Sequence, residues 1–176
     1  MHVKILHEKL KDQELIYKLI SEAFDTSDEE KLVRLLHTDH QSLISLVAET
    51  DDGSIIGQAI ISKMTVEKND KLKIYALAPM CVAPKYQHQG IGSKLIEAII
   101  KEATKNNIDA IFVLGHPSYY PKFGFKPATE YQIKCEYDVP ADVFMVLDLS
   151  AKLSQLKGQT VYYAEEFGKI FRSIKL

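Results

Sequence analysis

The spacing of apolar and polar residues changes period several times along this chain. Between Asp12 and Phe24, Leu15, Ile16, Leu19, Ile20 and Ala23 fall on one helical face, with Asp12 placed as an N-cap. Asp28 to His37 reads as a second short helix, carrying Leu32, Val33, Leu35 and Leu36. Leu43 to Glu49 and Ile55 to Val66 are instead rich in β-branched and aliphatic residues, and Asp51-Asp52-Gly53-Ser54 between them is a hairpin turn signal. A second turn at Asn69-Asp70 leads into Leu72 to Val82, so three antiparallel strands are expected after the helices. Pro79 in the third of them cannot donate to a ladder. That predicts a bulge or local splay which leaves backbone groups of Met80, Cys81 and Val82 available to another partner.

Ser93 to Lys105 returns to the helical period. Leu95, Ile96, Ile99, Ile100 and Ala103 form the apolar stripe, Glu97 and Lys101 stand in the favourable i,i+4 order, and Asn106-Asn107 ends the helix. Ala110 to Leu114 is a short buried strand, and a strand–helix–strand unit of this length implies a parallel pair. Phe144 to Leu149 and Gln159 to Tyr163 are later strands. The order is that of a mixed α+β layer fold.

Composition narrows the class. The chain has 176 residues, 46% hydrophobic and 26% charged, as an ordinary one-domain globular protein does. A net charge of -2 argues against a protein that holds duplex nucleic acid. The N-terminus MHVKILHEKLKDQEL has no apolar stretch of signal-peptide length. The run from Tyr75 to Pro84, ten residues with two prolines, is too short to span a bilayer. Cys81 and Cys135 sit in apolar surroundings and are expected as buried free thiols. No CxxC or His/Cys cluster has zinc spacing, so no metal is expected, and a cytoplasmic location is.

The candidate chemistry begins at Gln87-His88-Gln89-Gly90-Ile91-Gly92-Ser93, between an apolar strand and an amphipathic helix. Glycines allow positive φ and close approach of the backbone to a ligand, and a helix start presents unpaired N–H groups that bind phosphate. The first charged residue of the helix is Lys94, so its first turn carries no carboxylate. Local physics leaves two readings here, an anion cradle and a plain strand-to-helix turn. A Walker loop is excluded because Leu95 follows Ser93-Lys94 with no Gly-Lys-Ser/Thr, and the dinucleotide fingerprint lacks its third glycine, Leu95 standing there.

The pattern Gln-x-x-Gly-x-Gly, after a strand ending Met80-Cys81-Val82-Ala83-Pro84, resembles the acetyl-CoA signature of the GNAT N-acetyltransferase superfamily. A second segment, Gly115-His116-Pro117-Ser118-Tyr119-Tyr120-Pro121-Lys122-Phe123-Gly124-Phe125, resembles the family's Tyr-x-x-x-Gly-Phe region, and with Phe144-Met145-Val146-Leu147 it resembles the YhbS-like subgroup. The likeness runs from about Val3 to Leu149. It implies a mixed, mainly antiparallel sheet with a splayed central parallel strand pair, flanked by helices. It also implies an acetyltransferase domain over 1–150 with a C-terminal extension, 151–176, packed on it.

Carried over residue by residue, the resemblance gives the backbone amides of His88, Gln89, Gly90, Gly92 and Ser93 to the CoA pyrophosphate, and the backbone of Cys81 and Val82 to the pantetheine arm. The family tyrosine, four residues before Gly124, is Tyr120, the general acid for the departing thiolate. A phenol, with a pKa of about 10, suits that task. Some relatives carry a basic carboxylate on the third strand; Lys73 to Met80 has none. His116, just past a strand end, is the first candidate for the base, with Glu22 and Asp25 behind it. Tyr162-Tyr163 and Phe167 to Phe171 read as core and helix packing, and Asp28, Glu29 and Glu30 as an acidic helix start that also suits a cationic amine.

The expected activity is acetyl transfer from acetyl-CoA to a primary amine of a small molecule or peptide, by direct attack in a ternary complex, in a monomer or homodimer without nucleic-acid or membrane partners. Cys81 leaves a covalent route narrowly open. The rival is an acyl-CoA-binding sensor or assembly module without turnover.

Overall fold

The computed structural model describes residues 2–39, 43–69 and 71–171. The strands are β1 (Val3–His7), β2 (Leu43–Thr50), β3 (Ile55–Lys63), β4 (Thr65–Val66), β5 (Ile74–Val82), β6 (Ala110–Leu114), β7 (Lys126–Pro127), β8 (Lys134–Cys135), β9 (Phe144–Asp148) and β10 (Thr160–Tyr162). The α-helices are α1 (Gln13–Ala23), α2 (Asp28–Thr38), α3 (Ile91–Lys105) and α4 (Glu165–Ile170). One mixed sheet has the order β1-β2-β3-β5-β6-β9-β7, and a small sheet has the order β4-β10-β8. β5 and β6 are parallel, whereas β1–β2, β6–β9 and β7–β9 are antiparallel. This is the mixed, mainly antiparallel α+β sheet with one parallel pair that the resemblance implies.

Two compact units are resolved. The first comprises the residues up to Ile61 with Pro79–Glu102. In it β1 lies antiparallel to β2, Val3 opposite Thr50 through His7 opposite Leu46. Ile16, Leu19 and Ile20 of α1 and Val33 of α2 bury their apolar faces in a cluster with Val47, Cys81 and Ala83. Gly57 in β3 allows close packing elsewhere in this unit: a Cβ there would stand 3.1 Å from Leu95 Cδ1 of α3 and 3.2 Å from the Cys81 carbonyl oxygen.

The second unit comprises Ser62–Ala78 and the residues from Ala103 on. β6 is buried, and Phe112 stacks on Phe144 of β9 with centroids 5.4 Å apart. Asn107, at φ 55°, ends α3, and the Ile108 N–H donates to the Ala103 carbonyl at 2.9 Å. The late aromatics pack as expected: Tyr163 and Phe167 are buried with centroids 4.8 Å apart.

Several expectations shift. Asp12 holds the expected N-cap position of α1, but it also ends a 3-10 turn, Leu10–Asp12, and its carboxylate accepts from the Lys9 N–H at 2.8 Å rather than from α1. The strand expected over Ile55 to Val66 divides into β3 and β4, and β5 starts at Ile74 rather than Leu72. In the Asn69-Asp70 turn, Asp70 lies outside the described residues. α3 starts at Ile91, two residues before the expected start, because Gly90 accepts the Lys94 N–H at 3.1 Å and closes the first turn there.

Candidate functional site

The parallel register of β5 with β6 runs Ile74–Ala110, Tyr75–Ile111 and Ala76–Phe112 and stops there, although β5 continues to Val82 and β6 to Leu114. A proline three residues on, with no N–H to give, is consistent with that stop. Cys81 is 6% exposed, in the apolar cluster of the first unit, and its thiol is pushed up to about 12 by burial. A thiol so placed is scarcely ionised at neutral pH and is a poor nucleophile. Cys81→Ala is accordingly expected to keep CoA release within about threefold of the parent, a readout that separates direct attack from an acyl-cysteine route.

After β5 the chain turns through Pro84–Tyr86, a single 3-10 turn, and Gln87 to Gly90 are exposed. Gln87 Nε2 donates to the Val82 carbonyl at 3.1 Å, and Gln89 Nε2 to the Lys85 carbonyl at 3.2 Å. The first glutamine of the motif thus ties the turn back to the strand end, a role the sequence alone did not disclose.

His88 has φ 60° and Gly90 has φ 79°. A Cβ built on Gly90 meets no atom within 4 Å, so this side of the turn is open. Gly92, by contrast, lies in the first turn of α3 and is not among the positive-φ glycines. The first turn of α3 contains no acidic residue. An open turn, two left-handed residues and a helix start without a carboxylate fit a pyrophosphate. A side chain at Gly90 costs about 1–2 kcal/mol in the left-handed region. In Gly90→Ala the exposed free turn relaxes away from positive φ and must regain it to bind, so acetyl-CoA binding is expected to weaken about tenfold by calorimetry, as 1.4 kcal/mol corresponds to one decade.

The second unit carries Tyr120 and His116. Tyr120 opens a 3-10 turn, Tyr120–Phe123, closed by Gly124 at φ 95°. This explains the motif: glycine supplies the left-handed cap, and Phe125 behind it packs edge-on against the Tyr120 ring at 5.5 Å. Tyr119 meets the same ring at 5.3 Å. Tyr120 is 8% exposed, and burial, with Tyr119 adding to it, pushes the phenol up to about 12. The ring lies against the backbone of Gly115, where a Cβ would stand 2.2 Å from Tyr120 Cε2. Gly115 was therefore missed by sequence reasoning as part of this site. His116 is exposed, and its carbonyl accepts the N–H groups of Tyr119 at 3.0 Å and Tyr120 at 3.4 Å.

The acidic stretch of α2 is largely matched by its own neighbours. Glu30 accepts from Ser21 and from Arg34 Nε at 2.8 Å, Glu29 accepts from Thr26 at 3.0 Å, and Asp28 pairs with Lys31 at 3.4 Å. Glu22 is exposed, 4.0 Å from Lys18, and Asp25 is exposed too. Among the described residues, no three His, Cys, Asp or Glu side chains gather as a metal site, and no helix is long and apolar enough to cross a membrane.

A family model described as an acetyltransferase (GNAT) domain matches residues 41–127. N-acetyltransferase YhbS of Escherichia coli is 31% identical over 153 residues, 86% of this chain and 90% of that protein. The chain belongs to the GNAT acetyltransferase family. Within the family, the crystal structure of E. coli YhbS in complex with CoA is similar at TM-score 0.90 and 30% identity, covering 96% of this chain and 93% of that one. A GNAT acetyltransferase from Brucella melitensis in complex with acetyl-CoA is similar at TM-score 0.78 and 26% identity, covering 94% and 98%. The structural neighbours of this GNAT chain thus bind CoA or acetyl-CoA.

Proposed function

We propose that this protein moves an acetyl group from acetyl-CoA to a primary amine of a small molecule or peptide, by direct attack in a ternary complex. The observation that carries the reading is the turn after β5, open at Gly90 and leading into a helix whose first turn has no carboxylate. In this reading the backbone of His88, Gln89, Gly90, Gly92 and Ser93 holds the pyrophosphate, and that of Cys81 and Val82 guides the pantetheine arm. Acetyl-CoA, when bound, supplies an activated thioester. The acetyltransferase domain is 1–150 with 151–176 as a C-terminal extension, and the protein works in the cytoplasm as a monomer or homodimer.

Tyr120 is the general acid. A phenol raised to about 12 keeps its proton throughout the working pH range and is a donor to the departing sulfur. Its match to a thiolate survives burial, because desolvation raises thiols too; the buried Cys81 also stands at about 12. His116, exposed beside it in sequence, is a candidate for the base.

The test is a CoA-release screen across polyamines, amino acids, aminoglycosides and peptide N-termini. Release with at least one acceptor supports the reading. Tyr120→Phe should then lower turnover by about 10²-fold and leave acetyl-CoA affinity within about threefold. Tight acetyl-CoA binding without release on any acceptor favours the non-catalytic binding module instead, and binding of ATP rather than CoA in a thermal-shift competition rejects both.

A further inference from the structure

Three ionisable side chains from separate parts of the first unit form one buried hydrogen-bonded chain. Tyr17 Oη in α1 lies 2.8 Å from His37 Nδ1 in α2. His37 Nε2 lies 3.0 Å from Glu8 Oε1 and 3.2 Å from Oε2, just beyond β1. The Ser45 hydroxyl of β2 donates to Glu8, and Gln58 Nε2 of β3 donates to Ser45 Oγ at 3.1 Å. The side chains of His37 and Glu8 are 8% and 9% exposed, and Tyr17 is 6% exposed.

Donor directions follow from the chemistry. Burial alone would raise the Glu8 pKa, but the hydrogen bonds from His37, Ser45 and Gln13 oppose it, and the carboxyl is held below its ordinary range. An ionised carboxylate only accepts, so His37 Nε2 carries the proton facing it. In the neutral ring Nδ1 is then bare and accepts the Tyr17 O–H. The Tyr17 oxygen keeps a lone pair for one further donor, with its own proton already aimed at an imidazole backed by a carboxylate. This is the logic of a hydroxyl–imidazole–carboxylate relay.

The other charges facing the chain come from both helices. Arg34 of α2 lays its guanidinium 3.8 Å over the Tyr17 ring and is itself held by Glu30 at 2.8 Å and Glu14 of α1 at 3.7 Å. Gln13 of α1 also bonds Glu8. Tyr17 belongs to the same apolar cluster as Cys81 and Ala83, the strand end to which the pantetheine arm is assigned above.

We propose that Tyr17, backed by His37 and Glu8, takes the proton of the acceptor ammonium and is the base that β5 lacks. The inference rests on the acetyltransferase reading. An ammonium N–H bond breaks and that proton passes to Tyr17 Oη, while the Tyr17 proton passes to His37 Nδ1. The products are a neutral amine, an intact phenol and an imidazolium held against the Glu8 carboxylate. No electrons change hands, and the proton leaves His37 for solvent after turnover.

The experiment measures CoA release by the full chain between pH 6.5 and 9, with an acceptor from the screen whose amine titrates near pH 9. Tyr17→Phe should be about 10²-fold slower than the parent at pH 7, the lower range of what a positioned base contributes. The deficit should shrink to about twofold near pH 9, where half of the acceptor is neutral without help. Glu8→Gln should follow the same profile, and serves alone if Tyr17→Phe does not fold. Acetyl-CoA affinity should stay within about threefold, because the relay acts on the acceptor. The ¹⁵N signals of the His37 ring in the free protein should report protonated Nε2 and bare Nδ1. A deficit independent of pH, no deficit, or the opposite tautomer overturns the proposal and leaves the acetyltransferase reading standing. Absence of release by the parent protein with every acceptor overturns both.

Discussion

Gly115→Ala is expected to lower turnover by about 10²-fold, as much as removing the Tyr120 hydroxyl, because an offset of about 1 Å at the proposed general acid costs that much. The added methyl would stand 2.2 Å from Tyr120 Cε2 and 2.7 Å from Cδ2, whereas carbon atoms rest about 3.5–4.0 Å apart. One side must move by more than 1 Å. The ring is confined by Tyr119 at 5.3 Å and Phe125 at 5.5 Å, and the Gly115 N–H is held by the Val143 carbonyl at 3.0 Å. Relief through either route displaces the phenol or loosens the loop, at an overpacking cost of about 1–3 kcal/mol. Acetyl-CoA affinity should move by less than about threefold, since the glycine turn that carries the pyrophosphate assignment is untouched. Steady-state CoA release beside calorimetry separates the two effects. A variant with parental turnover would show that the position of the Tyr120 ring does not matter to the reaction.

Period and turn chemistry made much of the fold legible before any coordinates. α1 and α2 agree with expectation to about a residue at each end, and β6 has the expected bounds, because each carries an apolar stripe of one clear period. β1 was not anticipated: in Val3–His7, Lys4 and His7 interrupt the apolar residues, and the strand is an edge whose place is set by β2. The two-residue strands β4, β7 and β8 have no local signature, since pairing across the chain creates them. In the glycine turn the positive φ of Gly90 was foreseeable, but that of His88 was not; nothing in a histidine announces the left-handed region. Tyr120 was singled out through the family resemblance, which sets the family tyrosine four residues before Gly124. Its confinement by Gly115 and its burial are properties of packing. The Tyr17–His37–Glu8 chain was invisible for a similar reason. Its members stand 20 and 29 positions apart, and nothing local in the sequence links a mid-helix tyrosine to a histidine late in α2 and a glutamate just past β1.

Raising the pH from 8 to 11 is expected to remove several kcal/mol of stability, with the first losses due to thiols. Burial holds Cys81 at about 12 against an ordinary 9.0, Cys135 at about 11, and Tyr120 at about 12 against an ordinary 10.0. All three are neutral when protonated, and their folded pKa values are raised. Their contribution is therefore complete below the unfolded pKa and is lost as pH climbs from that value through the folded one. One pKa unit is 1.36 kcal/mol, so Cys81 accounts for about 4 kcal/mol and Tyr120 for about 3 kcal/mol once pH has crossed the whole interval. That is a large share of a typical stability of about 5–15 kcal/mol. Between pH 8 and 9 the unfolded chain is ionising its thiols while its tyrosines have barely begun, so the slope there belongs mainly to Cys81 and Cys135. Cys81→Ala should remove about half of that slope in urea denaturation, although it lowers the plateau at pH 7 by leaving a small cavity. An unchanged slope would mean that the Cys81 thiol ionises as readily in the fold as outside it. That outcome would also reopen the acyl-cysteine route, because a thiol of ordinary pKa in the strand proposed to guide the pantetheine arm would be available to attack.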